Sequence, residues 1–159
     1  MRDVIVVDKV TKVYASERGP VRALENFSMT VAEGDFVAIV GPSGCGKTTL
    51  LWGLTGLHPF SAGKAVILGE EVSRPRRDVG IIFQQANLLP WRTLYQNITF
   101  PLEIMKENPK EHRERVRDLI ESVGLAGFED HFPRELSGGM QQRASIVRAL
   151  SYDPKVLLM

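Results

Sequence analysis

The segment Gly41-Pro42-Ser43-Gly44-Cys45-Gly46-Lys47-Thr48-Thr49 constrains this chain more than any other. It fills the pattern G-x-x-x-x-G-K-[ST], a loop that leaves a strand, wraps phosphate and enters a helix. The glycines let the backbone curl so that successive N–H groups point inward, and the positive end of the helix adds to the attraction for anions. The apolar run Phe36-Val37-Ala38-Ile39-Val40 predicts a core strand before the loop. Leu50, Leu51 and Leu54 predict a helix after it, closing near Gly56. Gly41, Pro42, Ser43, Gly44, Cys45, Gly46, Lys47, Thr48 and Thr49 are therefore the expected nucleotide cradle. Lys47 reaches the β- and γ-phosphates, and the Thr48 hydroxyl is a ligand for Mg²⁺. A glycine-rich turn with a chance lysine would not carry this strand-and-helix context.

A chain of 159 residues is one domain's worth, able to bury roughly 70% of its unfolded surface around a single core. With 20 Lys and Arg against 19 Asp and Glu there is no basic field to gather nucleic acid. The one cysteine, Cys45, excludes an internal disulfide framework and suits a reducing compartment. The amino terminus carries no signal-peptide pattern, and no run approaches the 18 or so apolar residues of a membrane span.

Val4 to Val7 and Ala23 to Val31 read as an antiparallel strand pair, with Ala65 to Leu68 and Val79 to Phe83 as further short strands. Arg74-Pro75-Arg76-Arg77 reads as a solvated loop. A helix is expected from Asn108, with Pro109 in its first turn, Glu111 completing a cap and pairing with Arg115, and Gly124 as its stop. His58, His112 and His131 are expected to be solvated or locally bonded. A last helix from Gly139 to Leu150 ends at Asp153-Pro154, followed by a buried strand over 155–159.

Phosphate loops serve kinases, GTPases, helicases and transport ATPases alike, so the class must be decided elsewhere. Leu136-Ser137-Gly138-Gly139-Met140-Gln141-Gln142-Arg143 puts a hydroxyl and two glycine amides at a helix start, a second anion-binding terminus. A phosphate loop together with this octet resembles the nucleotide-binding subunits of ABC transporters, whose signature is LSGGQ-like; Met140 departs from the usual glutamine. The resemblance implies an α/β phosphate-loop NTPase fold of the ABC ATPase type. Its parts would be a mixed core sheet, an N-terminal antiparallel β-subdomain and a helical signature subdomain. The whole chain would be one such domain, incomplete at its C-terminus, with about 84–150 holding the Q-loop and helical part. ATP and Mg²⁺ are the implied cofactors. The implied catalytic set is Lys47, Gln84, Ser137 and Gly139, with Thr48 and Gln84 serving the metal. Ser137 and Gly139 would close on the γ-phosphate held by the partner in a homodimer.

Ile81-Ile82-Phe83-Gln84-Gln85 is similar to the family's Q-loop, and Lys12-Val13-Tyr14 to its adenine-stacking segment, with packing in the core as the alternative for Tyr14. Leu88-Leu89-Pro90-Trp91 resembles import ATPases of the nitrate, sulfonate and taurine group. It lies where a transmembrane permease would dock, between Gln84 and Ile98, unless Trp91 simply packs the helical part. The resemblance thus implies ATP-driven solute import at the cytoplasmic face of the cell membrane, peripheral through the permease, with a solute-binding protein engaged indirectly. A soluble ABC-type ATPase and a non-catalytic nucleotide-binding module are the alternatives. The latter draws on the acidic pair expected after Val156-Leu157-Leu158-Met159: without a general base, worth about 10² to 10⁴ in rate, this polypeptide is expected to bind ATP but scarcely hydrolyse it.

Overall fold

The computed structural model describes residues 2–17, 19–108 and 110–159, which divide into two compact units, 1–76 and 77–159. Strand β1 (Asp3–Tyr14) pairs antiparallel with β2 (Val21–Ala32) and, on its other edge, with β3 (Ala62–Ile67). A short β4 (Glu70–Glu71) completes a four-stranded sheet in the order β2-β1-β3-β4. Helix α1 (Lys47–Leu54) belongs to the same unit. Ile5, Val7, Val10, Leu24, Ile67, Leu50 and Leu54 are buried, so alternate positions of the strands and one side of the helix supply the apolar interior. Both β1 and β2 run longer than their apolar cores suggested, because cross-strand pairing extends through polar positions as far as Tyr14↔Val21.

Residues 36–40 form no strand. Phe36 and Val40 are 88% and 91% exposed, and no described residue pairs with their backbone in a ladder. Apolar, β-branched sequence raises the propensity to pair, but a strand exists only when a neighbour accepts its hydrogen bonds. The mixed core sheet is likewise resolved into the antiparallel sheet and a separate parallel pair. The 74–77 stretch is not fully solvated: Arg76 donates to the Ile67 carbonyl and pairs with Glu70, its side chain half-buried against the β3–β4 turn.

The second unit holds β5 (Val79–Ile81) parallel to β6 (Val156–Leu158), and helices α2 (Leu94–Ile104), α3 (Arg113–Ser122) and α4 (Gly138–Leu150). Leu94, Ile98 and Leu102 of α2, Val116 and Ile120 of α3, and Ala144 and Val147 of α4 close one apolar core. Thr93 caps α2 through a full capping box with Gln96, a signal legible as Thr-x-x-Gln in the sequence. Pro101 inside α2 hides that helix from a simple pattern reading.

Helix α3 begins five residues later than the Asn108 signal suggests. Asn108 spends its carboxamide on a separate turn, accepting from the Lys110 amide and donating to Glu111; Pro109 lies outside the described residues. Arg115 does not pair with Glu111 but with Asp153, while also donating to the Leu150 carbonyl. That contact holds the Asp153 carboxyl below its usual range. Gly124 does stop α3, at φ 67°, with Gly124 N–H bonded to Glu121 and Leu125 N–H to Ile120. Among the described residues no helix is long and apolar enough to cross a membrane.

Candidate nucleotide site

Gly46 sets the phosphate loop against the first sheet. Its φ is 99°, and a Cβ there would lie 2.4 Å from the Ala23 carbonyl oxygen and 2.8 Å from Leu24, so only glycine lets the loop enter α1 this close to β2. Gly46 caps α1 without a side-chain hydrogen bond, and no acid stands in the first turn. The first-turn amides therefore have no competing internal acceptor, the condition for receiving an anion. Residues 41–45 and Thr48 are exposed. The Lys47 ammonium folds back over the loop, donating to the carbonyls of Gly41 at 2.7 Å and Pro42 at 2.8 Å, with Cys45 Sγ at 3.5 Å. A charged group held by two neutral carbonyls and a thiol sulfur on an open loop is poised to exchange them for phosphate oxygens. The loop thus fits a polyphosphate in chemistry and access.

Tyr14 ends β1 in the same unit. Lys12 Nζ lies 5.1 Å from its ring centroid and His58 meets the ring edge-on at 6.5 Å, while the Tyr14 hydroxyl is buried without a hydrogen-bond partner. His58 stacks on Trp52 at 4.8 Å, and His112 pairs with Glu107, both local arrangements. His131 departs from expectation: its Nδ1 is buried and unbonded, because the ring packs against Phe128.

In the second unit Ser137 is the N-cap of α4, its hydroxyl accepting from the Met140 amide at 3.3 Å. This leaves the Gly138 and Gly139 amides of the first turn without an intrahelical acceptor. Both glycines are exposed, and a Cβ on either would meet nothing within 4 Å, so nothing inside the chain demands glycine there. Gln141 donates to the carbonyls of Pro133 and Leu136, fastening the turn before the helix. Met140 packs on the apolar core, which accounts for a hydrophobic residue at that position.

Gln84 is exposed, three residues beyond β5, in a strap whose carbonyls are held by α4. Farther along, buried Asn97 accepts from the Leu89 amide and donates to the carbonyls of Leu89, Arg92 and Thr93. Arg92 Nη1 donates to both carboxylate oxygens of Glu103, and the guanidinium stacks over Phe100. The braced loop leaves Trp91 70% exposed. A cleft of about 320 Å³ is lined by Leu89, Phe100, Pro101 and Tyr152. Burial lowers the Arg148 pKa and raises that of Tyr152, and the electrostatic interaction between the two opposes both shifts.

The sequence profile described as "ABC transporter" matches residues 24–159. The chain belongs to the ABC transporter family. It is 46% identical over its full length to an uncharacterised ABC transporter ATP-binding protein of Methanocaldococcus jannaschii, covering 60% of that protein. Over 98% of its length it is 41% identical to the aliphatic sulfonates import ATP-binding protein SsuB of Bacillus cereus, covering 61% of it. It is 43% identical to the taurine import ATP-binding protein TauB of Burkholderia pseudomallei, with 98% of this chain and 60% of that one covered. The chain therefore spans less than two thirds of these relatives. Among solved structures it resembles the dimeric post-hydrolysis state of the ATP-binding cassette MJ0796 bound to ADP and phosphate, with a TM-score of 0.86 and 34% identity over 96% of this chain and 72% of that one. The ABC ATPase fold follows directly. Motif reading overlooks Asn97 and Arg148, and although it includes Gln142 in the octet it does not foresee the bond of Gln142 to the Phe83 carbonyl.

Proposed function

We propose that this chain is the nucleotide-binding part of an ABC importer subunit that couples ATP hydrolysis to solute uptake, of the nitrate, sulfonate and taurine type. The observation that carries the reading is the pair of exposed helix starts, one at Lys47 without a side-chain cap and one at Gly138 where Ser137 satisfies the Met140 amide alone, each with first-turn amides available to anions. The names of the sulfonate and taurine relatives support the cargo class.

Bound Mg·ATP supplies the γ-phosphoryl group and a divalent charge to hold its oxygens. Lys47 releases the Gly41 and Pro42 carbonyls and donates to the β- and γ-oxygens, while the amides of 44–49 wrap the phosphates and Tyr14 lies against the base. The Thr48 hydroxyl and the Gln84 amide oxygen would hold the metal, and Gln84 would also be able to orient the attacking water. Ser137 and Gly139 of one protomer complete the pocket of the other in a homodimer, which explains glycines that no internal contact requires. Catalysis is then positioning plus charge stabilisation, as in phosphoryl transfer generally. The stretch from Gln84 to Ile98, with exposed Trp91 and the Leu89-lined cleft, receives a permease segment, so the subunit works at the cytoplasmic face of the membrane without entering it. A solute-binding protein engages the permease, and no nucleic acid is involved.

The test is Lys47→Ala in the full-length protein. Wild type should gain melting temperature with Mg·ATP, and the variant should lose that gain while keeping its ligand-free melting temperature. An unchanged ATP-dependent shift would remove Lys47, and with it the phosphate cradle, from the reading.

A further inference from the structure

We infer that Arg148, seconded by Gln142, is a positioning residue that ties the strap bearing Gln84 to the helix bearing Ser137 and Gly139. The inference rests on the role given to Gln84 above. Between β5 and α2 the chain runs through residues 82–93 without helix or strand, so nothing in its own backbone pattern holds Gln84 in place. Helix α4 supplies the hold. Gln142 Nε2 donates to the Phe83 carbonyl at 3.3 Å, directly before Gln84. Beyond it, Arg148 Nη2 donates to the Ala86 carbonyl and Nη1 to the Asn87 carbonyl, both at 2.8 Å. Only Gln84 and Gln85 lie between the two anchors, and both are exposed.

The two anchors stand six positions apart on α4, about 9 Å along its axis, enough to hold the strap at two separated points. Asn87 sits at φ 46°, a left-handed conformation that asparagine tolerates better than most residues and that turns the strap at its second anchor. A guanidinium presents two N–H groups in a fixed plane, so it can hold two successive carbonyls at once; an ammonium cannot reproduce that geometry. The strap and the Ser137–Gly139 cradle consequently share one rigid carrier. Arg148 touches no reacting group in this arrangement and acts through Gln84.

The experiment uses the full-length protein and the variants Arg148→Lys, Gln142→Leu and Gln84→Ala. A nitroxide on Gln85→Cys, in a Cys45→Ser background and without nucleotide, reads the strap directly. Arg148→Lys should raise the ratio of mobile to immobilised signal about tenfold, the scale of losing hydrogen bonds to a charged donor. Gln142→Leu should act in the same direction and stands in if the Arg148 variant does not fold. An unchanged spectrum in the folded variants overturns the inference.

Steady-state kinetics supply the second arm. Arg148→Lys should lower kcat while KM for ATP stays within about twofold, and in the Gln84→Ala background it should cause no further loss beyond about twofold. Fully multiplicative losses would make Arg148 a structural residue unconnected to Gln84 and overturn the inference. If Gln84→Ala itself leaves kcat unchanged, the role of Gln84 falls, while the nitroxide result still decides whether Arg148 holds the strap.

Discussion

At the scale of single residues, side chains that satisfy buried backbone matter as much here as those that face solvent. Asn97 is fully buried, and its carboxamide serves one amide and three carbonyls of the 89–93 loop. Asn97→Ala removes the partner of the Leu89 amide and of the Arg92 carbonyl, while the Leu89 carbonyl keeps the Arg92 amide and the Thr93 carbonyl keeps the backbone amide of residue 97; an unpaired buried group costs about 1–3 kcal/mol before relaxation. We expect a loss of about 3 kcal/mol, read as a lower urea midpoint of the full-length protein. A midpoint within experimental error of wild type would mean that water reaches the loop. The role proposed for Lys47 could be read from sequence because it rests on a contiguous spacing. Those of Asn97, Arg148 and Gln142 could not, because each serves carbonyls, which every residue type carries, at separations of up to 62 positions.

At the scale of elements, local signals predicted ends better than beginnings. The C-terminal stop of α3 is set within six residues: Gly124 takes the left-handed conformation and Leu125 buries itself in the same core as Ile120. Gly124→Ala forces an alanine into that conformation, with its Cβ 3.3 Å from Arg143 Nη1. The expected cost is about 1 kcal/mol, measured from the unfolding midpoint. A stabilised variant would contradict the strain. The N-terminal signal at Asn108 was real but belonged to a turn, since the same asparagine chemistry closes turns and caps helices. Arg115, expected to pair along its own helix, instead reaches Asp153 and the end of α4, a choice open only once α3 and the α4–β6 turn are neighbours.

At the scale of the whole molecule, Phe36, Val37, Ile39 and Val40 form an exposed apolar stretch, and among the described residues β5 and β6 pair in a two-stranded sheet. Unpaired extended segments and open sheet edges are templates for association. Purified residues 1–159 should therefore bind an apolar dye and sediment as oligomers, and Phe36→Lys with Val40→Lys should reduce both. A monomeric, dye-negative, reversibly melting chain would refute this. The sequence alone determined the phosphate loop, the capped start of α4, the family and the antiparallel strand pair, because each is set by residues a few positions apart or by an alternation of two. Tertiary structure alone decided that 36–40 stays unpaired, that Met140 and His131 turn inward, and that α4 holds the Gln84 strap. Those outcomes depend on which distant backbone groups come within hydrogen-bonding or packing distance, and no local spacing encodes that.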